Sequence, residues 1–180
     1  MRHKVANPVV LLAFFLTSFL YITSPTYARE NKKLFSYENW GVEIVTSDDG
    51  AQFCQVSYLG ADARFSISLH PDKAIDLQFN LEDEWFGTET THKDISMRID
   101  RRPYWEMANA AFHRNSISSS LSVGSQNMSV RFINELKRGS KLYLYNRFGE
   151  QKAWYSLDGS SIAMNELNAC QELIRRKSDW

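Results

Sequence analysis

Three segments of strict two-residue alternation constrain this chain more than any other feature. Ala63 to Leu69 (ARFSISL) puts Phe65, Ile67 and Leu69 on one side, and Ile75 to Leu81 (IDLQFNL) does the same with Ile75, Leu77, Phe79 and Leu81. Lys93 to Asp100 (KDISMRID) repeats the pattern with Ile95, Met97 and Ile99. Successive side chains of a strand point to opposite faces, so each segment predicts a strand with one face on a core and the other in water. Such strands pair antiparallel, because parallel strands are buried on both faces and read as continuous apolar runs.

Flanking segments extend the same architecture. Trp40 to Thr46 and Ala51 to Leu59 form a predicted hairpin around Ser47-Asp48-Asp49-Gly50, and His70-Pro71-Asp72 is a turn between the next two strands. Ser116 to Val123 is a weaker strand, Arg101 to Ala111 is ambiguous, and Lys141 to Phe148 with Gln151 to Leu157 make a second hairpin around Gly149-Glu150. Two helices interrupt the alternation. Val130, Phe132, Ile133 and Leu136 fall at helical spacing before Gly139, predicting a short helix over Val130 to Lys137. Ala163, Met164, Leu167, Cys170, Leu173 and Ile174 share one face of a terminal helix from Ser161 to Arg176, capped by Ser160 or Ser161. The expected fold is mainly β with a C-terminal helix: a single domain built as an antiparallel β-sandwich or a curved sheet of seven to nine strands.

The first 28 residues are expected to be removed as a secretory signal. MRHK is a basic start, Val9 to Ile22 an uncharged apolar core too short to span a bilayer comfortably, and Thr26-Tyr27-Ala28 a small-residue cleavage pattern. The exported domain is then 29–180, periplasmic or secreted, with no integral membrane anchor after cleavage. Removing Arg2 and Lys4 leaves 19 of the 21 basic residues against 21 acidic ones, a balance that argues against a nucleic-acid partner. In an oxidising compartment two cysteines are most economically one disulfide, so Cys54 and Cys170 are expected to be bridged, pinning the terminal helix across the sheet.

Two stretches resemble the invasion-associated locus B family of exported bacterial proteins. WGVEIVTSDDGAQFCQVSYL is similar to that family's opening strand, turn and cysteine, and INELKRGSKLYLYNRFGEQKAWYSLDGSSIAMNEL is similar to its closing region. In that family a second cysteine commonly stands near the position of Ile44 or Val45, pairing locally with the equivalent of Cys54; this chain has Cys170 instead. The resemblance implies a small exported β-rich fold and involvement in host contact, and carries over no catalytic residue.

Few residues read as a chemical site. His70, His92 and His113 lie far apart without metal-ligand spacing, and Glu82-Asp83-Glu84 with Glu89 lacks the ligand spacing and turn glycine of a calcium loop, so neither metal nor cofactor is expected. Gly159-Ser160-Ser161 sits at a strand-to-helix junction without the Gly-x-Ser-x-Gly elbow of a hydrolase. Two loops combine aromatic bulk with charge, the residue types that dominate partner surfaces: Trp85 and Phe86 in one, Arg101, Arg102, Tyr104 and Trp105 in the other. They are the candidate binding residues for a protein, envelope or glycan partner, unless Trp85, Phe86 and Trp105 fold back as lids on the core. The expected function is a non-enzymatic exported interaction protein of the invasion-associated type. An inhibitor or immunity protein that caps a toxin or lytic enzyme is the alternative, and a hydrolase ranks third.

Overall fold

The computed structural model describes residues 30–61, 63–70, 75–82, 84, 86–121 and 126–178. They form ten antiparallel strands: β1 (Glu30–Tyr37), β2 (Trp40–Thr46), β3 (Gln52–Leu59), β4 (Ala63–Leu69), β5 (Ile75–Leu81), β6 (Thr91–Ile99), β7 (Trp105–His113), β8 (Ser116–Leu121), β9 (Lys141–Asn146) and β10 (Gln151–Ser156). Two helices, α1 (Gln126–Lys137) and α2 (Ser160–Ser178), complete the order, with α1 between β8 and β9. The strands make one sheet in the order β1-β2-β3-β4-β5-β8-β7-β6-β9-β10. Mainly antiparallel β with a C-terminal helix is therefore the fold, in the curved-sheet form. The expected seven to nine strands become ten, because β1 and β7 emerge where the alternation was absent or ambiguous.

β1 carries Lys32 and Lys33 and has no clean apolar phase; it exists because β2 offers it a ladder, from Glu30 opposite Thr46 to Tyr37 opposite Trp40. A bulge between Lys33 and Phe35 and the charged side chains suit an edge position, where a flat apolar strand would invite aggregation. β7 is interrupted in the same way between its partners Lys93 and Ile95 on β6, with Asn109 at a positive φ of 59°.

Sheet twist accumulates over ten strands until the sheet curls, and its two halves face each other. Tyr155 of β10 lies 5.6 Å from Phe65, 5.9 Å from Phe79 and 6.1 Å from Tyr58 between ring centroids, all on β3 to β5. The inward phase of every alternating strand joins one core, into which Phe132 and Leu136 of α1 and Ala163, Met164, Leu167 and Cys170 of α2 are packed. Trp40 Nε1 donates to the Asp158 carbonyl at 2.7 Å and ties β2 to the turn before α2. Cys54 and Cys170 are bridged, with Cα atoms 6.0 Å apart, so the cross-sheet clasp is present.

Both helices are rotated slightly from the expected faces. Leu173 is 41% and Val130 58% exposed, whereas Ser129 is buried beside Phe132, Ile133 and Leu136. Neither serine caps α2. Gly159, at a φ of 81°, accepts the first helical bonds from Ile162 and Ala163, while the Ser160 hydroxyl is buried and donates to the Leu136 carbonyl at 2.8 Å. Ser160 thus closes the C-terminal turn of α1 instead of opening α2. Gly139, beyond α1, touches Ile99 and Leu157 so closely that a Cβ there would collide with both.

Tyr155 is fully buried, and its hydroxyl meets no hydrogen-bond partner among the described residues. Burial pushes its phenol well above the ordinary 10.0. The folded state therefore holds this proton more tightly than the unfolded chain, and the associated stability is complete below pH about 10 and falls above it by up to about 1.4 kcal/mol per pH unit. Tyr155→Phe is expected to raise stability near neutral pH by about 1 kcal/mol, since an unpaired buried hydroxyl is removed, and to flatten the alkaline decline. Urea unfolding of both proteins between pH 7 and 11 measures the two effects, and identical curves would remove this account of the core.

Candidate functional site

The two predicted loops are placed very differently from each other, and Trp85 lies outside the described residues. The Phe86 backbone N–H donates to the Arg114 carbonyl at 2.6 Å, and its ring meets Phe112 edge-on at 5.0 Å. Phe86 is thus half-buried against the core and lines a cleft of about 250 Å³ with Phe112, Leu144 and Phe148.

In the second loop, Arg102 donates through its two Nη atoms to the Glu135 carbonyl at 2.6 Å and the Arg138 carbonyl at 3.2 Å. It caps the carbonyls left open at the end of α1, where a cation also meets the negative end of the helix dipole. Trp105 is 7% exposed, packs edge-on against Phe132 at 5.2 Å, and donates from Nε1 to Glu135 Oε2 at 2.9 Å. Arg131 pairs with the other oxygen of Glu135 at 2.8 Å and covers the Trp105 ring at 5.1 Å. The loop residues Arg102 and Trp105 therefore fasten β7 to α1, as a lid does. Arg101 and Tyr104 remain on the surface, Tyr104 at 48% exposure.

Tyr104 belongs to a larger grouping on the outer face of the sheet. The registers set Arg98 of β6 opposite Tyr143 of β9, and Tyr143 opposite Trp154 of β10, so the three side chains form a row across three strands. The Arg98 guanidinium lies 5.2 Å from the Tyr104 ring, 5.8 Å from Tyr143 and 5.5 Å from Tyr145. It donates to the Tyr104 hydroxyl at 3.3 Å and the Tyr145 hydroxyl at 3.0 Å, and no carboxylate pairs with it among the described residues. Trp154 is 51% exposed and carries the Lys141 ammonium 4.7 Å above its ring. This is a cationic, aromatic surface on rigid strands. The chain matches no family model, no curated protein and no solved structure. What the surface does must therefore be read from its chemistry.

That chemistry favours recognition. An arginine framed by tyrosine rings has its stem and face covered, and an incoming carboxylate or carbonyl meets guanidinium donors already held in place. Sequence reasoning missed Arg98, Tyr143, Tyr145 and Trp154 because their strands were judged by the inward phase. The available signal was the outward phase of KLYLYN, in which tyrosines replace the usual small or charged residues.

A serine, a histidine and an aspartate also meet on the outer face, just past the end of β4 and on β5 and β8. His70 Nε2 lies 2.8 Å from Asp76 Oδ2, and the Ser120 hydroxyl donates to Asp76 Oδ1 at 2.5 Å. The aspartate stands in the middle. In a hydrolase the histidine must lie between the other two to take the serine proton; here that proton is directed at a carboxylate and the histidine is bonded to the carboxylate's far side. Of the two serines at the strand-to-helix junction, Ser160 is buried with its hydroxyl committed to the Leu136 carbonyl, and Ser161 is exposed. Among the described residues no three His, Cys, Asp or Glu side chains gather as a metal ion would require, and no helix is long and apolar enough to cross a membrane.

Proposed function

We propose that this chain is a non-enzymatic exported binding protein of the invasion-associated type, and that it meets a protein partner through the outer face of β6, β9 and β10. The observation that carries this reading is the Arg98 guanidinium, held among three tyrosines and facing outward without a carboxylate counter-ion among the described residues. Tyr, Trp and Arg are the residues most enriched at the energetic centres of protein interfaces, and rigid strands present them at little entropic cost. The Cys54–Cys170 bridge fits an oxidising compartment outside the cytoplasm. An inhibitor needs a protruding loop to insert into its target, and in the Arg101 to Trp105 segment Arg102 and Trp105 are tied down onto α1.

The test is affinity capture of envelope proteins with immobilised wild-type protein, followed by direct titration of each recovered protein. Trp154→Ala and Tyr143→Ala replace side chains on the outer face and are expected to leave the fold intact. Each is expected to weaken the true partner by at least about 2 kcal/mol, or roughly 30-fold in Kd, the scale of an interface hot spot. Unchanged affinity in both variants would dismiss this face as the contact surface.

A further inference from the structure

The outer face of β3, β4, β5, β8 and β7 forms a second, chemically different surface. Its registers align Gln55, Ser68, Asp76 and Ser120 in one row and Ser57, Ser66, Gln78 and Ser118 in the next. On a solvent-facing sheet these positions ordinarily carry long or branched side chains; Ser68, Ser118, Ser120 and the adjacent Ala111 leave a trough of about 480 Å³. That volume lies within the range of small-ligand clefts. With neighbouring strands about 4.8 Å apart, five strands give it a length of roughly 19 Å.

We infer that this trough binds a neutral, hydroxyl-rich oligosaccharide chain. Ser68 and Ser118 on its floor can each donate and accept, Gln55 and Gln78 offer carbonyl oxygens and further N–H groups, and Ser120, whose proton goes to Asp76, accepts, so a ligand with hydroxyls of either sense is matched. Its lining holds no lysine or arginine to attract an anion, its one histidine, His70, is turned to Asp76, and that carboxylate is itself paired with His70 and Ser120. Asp76 still has lone pairs to accept from sugar hydroxyls. One wall is Phe53, stacked on His70 at 4.8 Å, an apolar platform of the kind on which the C–H face of a sugar ring rests. The wall is held in place before any ligand arrives, because Gln171 of α2 donates to the His70 carbonyl at 2.7 Å while Asp76 holds the ring. The disulfide-pinned helix thus stiffens the trough, and preorganisation of this sort lowers the cost of ordering a flexible glycan. This site lies apart from the Arg98 face and does not depend on that proposal.

The experiment is an NMR titration of isotope-labelled, disulfide-intact protein with neutral oligomers of glucose, mannose and N-acetylglucosamine, and with oligogalacturonate as the anionic arm. At least one neutral oligomer is expected to give saturable shifts at the amides of Gln55, Ser68, Gln78 and Ser118, with oligogalacturonate binding more weakly. Phe53→Ala and Ser118→Lys are each expected to weaken that binding at least ten-fold; Ser118 is exposed, so its lysine variant fills the trough without touching the core. Absence of saturable shifts with every neutral oligomer, preference for the anionic arm, shifts centred on Tyr143 and Trp154, or equal affinity in Ser118→Lys would each overturn the assignment.

Discussion

Cys170→Ser is expected to lower the unfolding free energy by about 4 to 5 kcal/mol, the largest effect of any single substitution considered for this chain. The bridge spans a sequence separation of 116, and in the chain-entropy description a cross-link closing a loop of that size removes about that much from the unfolded state. The loss should be uneven. α2 is joined to the sheet through Cys54 of β3, the Gln171 bond to His70 and the buried face of Ala163, Met164 and Leu167. Without the bridge, hydrogen exchange is expected to accelerate first in the last two turns of α2, where Ile174 is the final buried apolar side chain. Urea unfolding with and without reductant measures the first effect. A reduced protein with the oxidised midpoint would show that the helix is held by packing alone.

Trp105→Ala should destabilise by about 3 to 5 kcal/mol, the usual cost of removing a buried large aromatic side chain. Three interactions are lost together: the edge contact with Phe132, the Nε1 bond to Glu135, and the ring beneath Arg131. Glu135 and Arg131 can still pair, so the damage falls on the junction between β7 and α1 more than on the ion pair. Trp105→Phe keeps most of the apolar contact and leaves the Glu135 oxygen short of one donor, so it should cost less, about 1 to 3 kcal/mol. Thermal unfolding of the two variants orders them. Equal and negligible losses would mean that Trp105 is free to serve a partner; the expected losses make it a poor probe of binding, because any partner effect would be mixed with unfolding.

The contrast between Trp105 and Tyr104 shows where local pattern stops being informative. Both are aromatic, adjacent and shortly preceded by Arg101 and Arg102, and a loop of this composition serves equally as a partner surface or as a cover. Position relative to α1 separates them: Trp105 is the first residue of β7 and faces Phe132, whereas Tyr104 lies on the outer side against Arg98 and Tyr145. Arg102 was read for its charge at a binding surface, and it is spent on the carbonyls of a helix 33 residues further along the chain. Composition identifies which residues are capable of recognition, but nonlocal packing decides which of them have unsatisfied capacity left.

The sequence by itself determined the inward face of the sheet, the amphipathic helices and the cysteine clasp. Each follows from a local rule: a half-buried strand must be apolar at every second position, a docked helix at every third or fourth, and two thiols in an oxidising compartment pair. Phe65, Ile67, Leu69, Ile75, Leu77 and Phe79 are all buried as the alternation requires. Only the tertiary structure decided which strands are neighbours. β5 pairs with β8 and β6 with β9, so the chain's order is reversed in the middle of the sheet, and no local preference encodes that choice. The same is true of β1, a charged segment that becomes a strand because β2 presents it with unpaired backbone groups. Both proposed surfaces depend on those pairings. Arg98 meets Tyr143, and Asp76 meets Ser120, through hydrogen-bonded registers between strands 45 and 44 residues apart. The outward phase of a strand is free to be any polar residue, so its chemistry becomes a site only when the sheet sets one strand's outward residues beside another's.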